Sequence, residues 1–166
     1  MSAIVKKTMR YLISLQKGIM ILSAILILTG LVSTVILRYV FSTDLYGLEE
    51  LIIIPAFWMY FIGASYGTYE NKHISADITK VYIKSEKVKG YIKLFGTLIS
   101  LIIALVFTYW SGLFIGWTVD SGATSTAWNY PLYIPQSAIL FGFLLITLYT
   151  FLDLIKEFNY VKKLNK

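Results

Sequence analysis

The chain has 166 residues and a net charge of +6, and hydrophobic residues make up 57% of it, with a mean hydropathy of +0.70. This composition is too apolar for a water-soluble domain and predicts a multi-pass membrane protein with a single membrane domain over 1–166. The sequence has no cysteine and one histidine, which excludes disulfides, thiolate metal sites, cysteine nucleophiles and bis-histidine haem ligation.

The first predicted element is residues 1–17, where apolar residues at helical spacing are interspersed with four basic ones. The pattern predicts an amphipathic helix that lies on the membrane surface and leads into the first span; a frayed basic tail is the alternative. The next run, about 18–37, has no charged residue and is too long for the apolar part of a cleavable signal peptide. Because about 20 apolar residues cross the hydrocarbon core as a helix, this run predicts the first span. Its small residues Gly30, Ser33 and Thr34 predict close contact with another helix.

The segment from Arg38 to Glu50 separates the first two apolar runs and therefore lies at a membrane surface. The second span, about 48–69, opens with Glu49 and Glu50, carboxylates that suit a helix N-terminus. Arg38 is either a solvated interfacial charge or an ion-pair partner of one of these glutamates. Pro55 predicts either a kink in the second span or a later start for it.

Three further residues of the second span predict helix contacts. Trp58 lies away from the interfaces where tryptophan is usual, so it either packs in the core or against lipid, or anchors another membrane subunit. Gly63 and Gly67 form a Gly-xxx-Gly pair, which allows a neighbouring helix to approach closely. Gly112 and Gly116 form a second such pair in the third span.

The second half of the chain predicts two more spans. Residues 70–93 form a loop that contains a second amphipathic surface helix over 74–84. The third span covers about 94–117, and the fourth, after a small polar loop, covers about 132–152. The tail, 153–166, has one apolar face and predicts a terminal surface helix.

The basic residues are distributed unevenly between the two sides of the membrane. All but one of the 15 lie before the first span, between the second and third, or after the fourth. The positive-inside rule therefore places both termini and the middle loop in the cytoplasm, and Arg38 on the outer side. The basic excess is a topology signal, and no nucleic-acid partner is expected.

Catalytic chemistry has little support in the sequence. The middles of the predicted spans contain no Asp, Glu, His, Lys or Arg, which argues against an enzyme and against an autonomous proton-coupled pump. We expect no catalytic residue, no metal site and no cofactor. Two alternatives stay open: a stand-alone homo-oligomeric carrier or channel, and a membrane anchor of a redox enzyme, which would need paired histidines.

Several short motifs occur in a fixed order along the chain. They are Arg38-Tyr39-Val40-Phe41, Glu49-Glu50, Trp58 with Gly63-Ala64, His73-Ile74 with Asp77, and Tyr133-Ile134-Pro135. In this order and topology they resemble the small membrane (DctQ/SiaQ-like) subunit of tripartite ATP-independent periplasmic (TRAP) transporters. The chain departs from the family in two places. Two residues before the glutamate pair the family often has a tryptophan, and this chain has Gly47 there, with Tyr46 beside it. Residues 111–130 match the family only loosely.

The resemblance implies a non-catalytic subunit of a sodium-driven uptake system for organic acids, either C4-dicarboxylates or sugar acids such as sialic acid, in a bacterial inner membrane. The implied partners are a large elevator-type membrane subunit, whose scaffold this chain would brace, a periplasmic substrate-binding protein, and membrane lipids. The acidic outer surface would help to dock the periplasmic protein. The residues implied at structural or partner interfaces are Arg38, Tyr39, Phe41, Tyr46, Glu49, Glu50, Trp58, Gly63, Gly67, His73 and Asp77.

Overall fold

A computed structural model describes residues 3–43, 46–70 and 85–164. Its four helices are α1 (Ala3–Tyr39), α2 (Leu48–Tyr69), α3 (Glu86–Ser121) and α4 (Tyr133–Leu164). Each is long and apolar enough to cross a membrane. The predicted all-α membrane fold with four long helices is therefore confirmed. The predicted surface helix over 74–84, together with His73 and Asp77, lies outside the described residues.

The helices are longer than a minimal span, except for α2. Helix α1 continues without a break through residue 17, so the amphipathic segment and the first span form one helix. Helix α4 likewise continues past residue 152 to Leu164. Helix α2 begins at Leu48, directly after Gly47, and runs on through Pro55 to Tyr69.

The four helices form an open row. Extensive contacts join α1 to α2, α2 to α4, and α4 to α3, so the order across the molecule is α1, α2, α4, α3. Helices α2 and α4 approach closely at Gly142, where an added Cβ atom would lie 2.7 Å from Phe61 Cβ and 2.9 Å from the Phe61 carbonyl oxygen. At Gly30 of α1, an added Cβ would lie 2.8 Å from Ile52 Cγ1 of α2, which fits the close contact predicted for that part of the first span.

The row buries little of its apolar surface. Helices α1 and α3, at its two ends, expose large side chains along most of their length; Ile21 and Leu28 of α1 are 63% exposed, and Trp110 and Trp117 of α3 are 65% exposed. Apolar surface on this scale suits hydrocarbon or another membrane protein and not water.

Candidate functional site: the loop clamp and a buried polar cluster

Hydroxyl-containing contacts join α3 to α4 at several levels, Thr108 with Thr147 and Thr118 with Gln136 among them. Two further groups of polar contacts tie other parts of the row together. We call the end that holds the α1–α2 and α3–α4 connections the loop end, and the opposite end, where α1 begins and α4 finishes, the terminal end. Each of these two groups joins elements that are far apart in the sequence.

At the loop end, Glu50 holds the α3–α4 connection against the start of α2. Its two carboxylate oxygens accept hydrogen bonds from the Ala127 backbone N–H at 3.1 and 3.0 Å. The Tyr130 hydroxyl donates to the Glu50 carbonyl oxygen at 2.8 Å, and the Trp128 indole N–H donates to the Gly47 carbonyl oxygen at 3.0 Å. We call these five residues the loop clamp.

The loop that the clamp holds is itself closed by backbone hydrogen bonds. The Ser125 N–H donates to the Tyr130 carbonyl oxygen at 2.9 Å, and the Leu132 N–H donates to the Ala123 carbonyl oxygen at 3.0 Å. These bonds bring the two sides of loop 122–132 together, so the loop meets the start of α2 as an ordered unit.

Gly47 is required at its position for two independent reasons. Its φ of +85° lies in the left-handed region, which disfavours residues with a Cβ. A Cβ there would also lie 2.3 Å from Ala127 Cβ and 2.9 Å from Trp128 Nε1. Glycine therefore lets the loop approach the backbone that leads into α2, and the aromatic ring placed against it comes from Trp128.

The Tyr130 hydroxyl is set up to remain a donor. Burial, followed by the nearby Glu50 carboxylate, raises the pKa of Tyr130 above its ordinary value of 10.0. A tyrosine hydroxyl is protonated at neutral pH in any case, and the upward shift extends to higher pH the range in which it can donate to the Glu50 carbonyl oxygen.

Of the two alternatives for Arg38, a solvated charge or an ion pair with Glu49 or Glu50, the described part of the structure does not contain the ion pair. Arg38 and Glu49 are both exposed, and among the described residues no pair within 4.0 Å joins Arg38 to Glu49 or Glu50. The ion pairs that the described part of the chain does contain are Lys89–Glu86, Lys93–Glu157 and Lys156–Asp153, all at the terminal end. The Glu50 carboxylate is instead engaged by the Ala127 amide, and Glu49 and Arg38 are both left at the surface.

The other predicted residues of this region are exposed at the loop end. Tyr39, Phe41 and Tyr46 are 79%, 64% and 80% exposed. They contribute to the surface around the clamp, and their assignment to a partner interface stays a prediction.

The predicted residues within α2 differ in their surroundings. Trp58 is half-buried, and its ring lies 5.8 Å from the Phe141 ring of α4, which is packing inside the row. A Cβ added at Gly63 would meet Met20 Sδ at 3.6 Å, an ordinary contact, and one added at Gly67 would meet nothing within 4 Å. The same open space lies at Gly112 and Gly116 of α3. Within this chain, then, these pairs do not mark the closest helix contacts.

A second cluster, nearer the terminal end, links three helices and was not predicted from the sequence. Gln16 Nε2 of α1 donates to Ser65 Oγ of α2 at 2.9 Å, and the Tyr149 hydroxyl of α4 donates to Gln16 Oε1 at 3.0 Å. Gln16 and Tyr149 are each 2% exposed, and Ser65 is fully buried. We call these three residues the buried polar cluster. Its sequence signal is faint: one amide side chain on the basic N-terminal segment.

These groups are suited to holding elements together. The clamp and the cluster consist of one carboxylate, one amide, hydroxyls, an indole and backbone groups, each engaged by another part of the chain. Within residues 3–43, 46–70 and 85–164, no three His, Cys, Asp or Glu side chains come together as metal ligands. The arrangement can fix helix register and loop position, and it presents a shaped polar surface at the loop end.

Comparison with known protein families identifies a match. The family model for tripartite ATP-independent periplasmic transporters, DctQ component, matches residues 27–159. The matched range includes the whole loop clamp, together with Ser65 and Tyr149, but Gln16 lies before it. Curated proteins give no match.

Proposed function

The chain belongs to the DctQ-component family of tripartite ATP-independent periplasmic (TRAP) transporters, and from that premise we propose that it is the small, non-catalytic permease subunit of a sodium-driven transporter for organic acids. The substrate is a C4-dicarboxylate or a sugar acid such as sialic acid. The chain lies in a bacterial inner membrane with both termini in the cytoplasm, as the distribution of basic residues predicts.

Its role in the membrane is to brace the static scaffold of a large elevator-type subunit. The open row supports this role, because it leaves the apolar faces of α1 and α3 without a partner within the described part of the chain. The absence of charged residues from the middle of the helices also suits a bracing part, since ion and proton pathways need such groups.

Its role outside the membrane is to help dock the periplasmic substrate-binding protein. The observation that carries this proposal is the Glu50–Ala127 contact, because it fixes loop 122–132 against the start of α2 and so makes a shaped surface from two connections. Exposed Tyr46 and Glu49 border that surface and offer aromatic and acidic contacts. A pre-ordered surface loses less conformational entropy on binding than a mobile one.

The decisive experiment is to tag the chain in its native membrane, extract it in mild detergent and identify what co-purifies. We expect a larger polytopic protein in stoichiometric amount. Sodium-dependent uptake of an organic acid should be lost when the chain is deleted and return when it is restored. Recovery of a homo-oligomer that moves a solute unaided in proteoliposomes would overturn the proposal.

A further inference from the structure

The terminal end contains a cavity that the proposed function does not use. It has a volume of about 400 Å³ and lies between the first turns of α3 and the last turns of α4. Its lining comprises three lysines, two glutamates, a glycine and a tyrosine: Lys89, Lys93, Lys156, Glu86, Glu157, Gly90 and Tyr160.

Two of the three lysines of this cavity face outward, and one of its two glutamates faces inward. The Lys89 side chain is 28% exposed and pairs with exposed Glu86 at 2.9 Å, and Lys156 pairs with Asp153 at 2.7 Å, so each lysine has donors left but already has one carboxylate partner. The Lys93 and Lys156 side chains are 69% and 62% exposed, whereas the Glu157 side chain is 12% exposed. Glu157 is already occupied, because its oxygens accept from Thr97 Oγ1 at 2.6 Å and from Lys93 Nζ at 3.1 Å. Since an ammonium group carries three donors, Lys93 retains donors for a further acceptor.

The charge pattern of α3 and α4 places the cavity at a predicted boundary of the hydrocarbon core. In α3 the uncharged stretch begins at Leu94, directly after Lys93, and in α4 it ends at Leu152, one turn before Lys156. Lysines at such boundaries extend their ammonium groups toward the headgroup layer while their stems cover apolar surface. Exposed apolar side chains continue from the cavity toward the hydrocarbon, Phe95 of α3 among them at 64% exposure.

We propose that this cavity binds the phosphodiester headgroup of an anionic phospholipid, with the acyl chains running along α3 and α4. Lys89, Lys93 and Lys156 supply the cationic donors, and half-exposed Tyr160 borders the site. Basic pockets between transmembrane helices on the cytoplasmic side are a recurrent setting for such headgroups. A lipid headgroup held there would fill the cavity between the first turns of α3 and the last turns of α4.

The test uses the full chain purified in mild detergent, with bound lipid counted by native mass spectrometry. The probe is phosphatidylglycerol in an equimolar mixture with phosphatidylcholine of the same acyl chains. We expect one phosphatidylglycerol to be retained in preference. The variant K89Q/K93Q/K156Q should retain it about tenfold less, because each lysine near an anionic headgroup strengthens attraction roughly fivefold and neighbouring glutamates offset part of that.

Two matched variants distinguish lipid binding in the cavity from general attraction between charges and from loss of the fold. K162Q/K163Q removes exposed charge from the same end but outside the cavity and should bind like the wild type. K89R/K93R/K156R keeps the cations and should retain the lipid. Equal loss in K162Q/K163Q, or loss in the arginine variant with its helical content intact, would overturn the proposal.

The source of the phosphate is tested in the same preparation. Inorganic phosphate at millimolar concentration should not displace the retained phosphatidylglycerol, since it cannot replace the acyl-chain contacts. Displacement would identify a site for free anions and overturn the lipid assignment. Co-purification of a large subunit is measured in a separate experiment. The lipid-binding result therefore neither supports nor contradicts the proposed transport role.

Discussion

Glu49 and Glu50 are adjacent carboxylates in different surroundings. Both carboxylate oxygens of Glu50 accept from the Ala127 amide, whereas the Glu49 side chain is exposed and makes no hydrogen bond to the described residues. We therefore expect Glu50→Gln, which keeps one acceptor oxygen but removes the charge, to speed hydrogen exchange at the Ala127 amide severalfold, and Glu50→Ala to speed it further. Glu49→Gln is the control and should leave that amide unchanged. Equal protection of the amide in Glu50→Ala would show that the loop is held by other contacts.

Gly47 and Gly122 offer a matched pair for separating backbone strain from steric clash. Both have a positive φ, but an added Cβ meets Ala127 and Trp128 at Gly47 and nothing within 4 Å at Gly122. A left-handed conformation costs a residue with a Cβ about 1 to 2 kcal/mol, so Gly122→Ala should lower the free energy of unfolding by that amount. Gly47→Ala should lower it by more and also change the fluorescence of Trp128. Equal destabilisation in the two variants would mean that the loop shifts to accommodate the methyl group.

Between elements, the buried polar cluster couples α1, α2 and α4 through one side chain. Gln16→Leu removes the partner of the Tyr149 hydroxyl and leaves that hydroxyl buried. Interhelical hydrogen bonds of this kind contribute about 0.6 to 1.7 kcal/mol in membrane proteins, so Gln16→Leu and Tyr149→Phe should each lower the unfolding midpoint measurably. A double-mutant cycle should show that their effects are not additive. Tyr160→Phe, at a half-exposed tyrosine, is the control, and additive losses from Gln16 and Tyr149 would contradict the coupling.

The close α2–α4 contact at Gly142 is predicted not to tolerate a larger side chain. An added Cβ at Gly142 lies 2.9 Å from the Phe61 carbonyl oxygen, a backbone atom that cannot rotate away. Gly142→Val should therefore push α2 and α4 apart and lower stability by about 1 to 3 kcal/mol, the usual cost of overpacking. Gly112→Val is the comparison, since open space surrounds that glycine in this chain. Stability can be followed by thermal loss of helical circular dichroism, and similar midpoints for the two variants would argue against a fixed α2–α4 contact.

The elements themselves could be predicted from the sequence, but their mutual arrangement could not. Uncharged runs and flanking charges located the four helices, because span length and charge placement are local properties. The Glu50 contact escaped prediction because its partner is a backbone N–H 77 residues away, which no side-chain pattern reveals. The close contact at Gly142 was not predicted because no second glycine lies at helical spacing from it. Gln16 escaped because the charges around it favoured a surface helix over a buried position.

For the whole molecule, the open row explains why polar contacts matter so much. In a membrane, apolar helices gain little by leaving lipid for one another, so packing and hydrogen bonds decide how they associate. The clamp fixes α2 to the α3–α4 connection at one end, and the buried polar cluster fixes α1, α2 and α4 nearer the other. These contacts keep the row in register while its outer faces stay available to lipid or to a partner.

The orientation of the whole row determines whether the loop clamp can meet a periplasmic protein. Because the chain has no cysteine, single-cysteine variants carry no background labelling. Thr126→Cys, at an exposed position of the clamped loop, should react with a membrane-impermeant maleimide in cells whose outer membrane has been permeabilised. Lys162→Cys, exposed near the end of α4, should react only after the inner membrane is opened as well. Charge distribution favours this orientation, since the lysines cluster at the terminal end. Labelling of Lys162→Cys while the inner membrane is intact would place the clamp in the cytoplasm and remove it from any periplasmic docking surface.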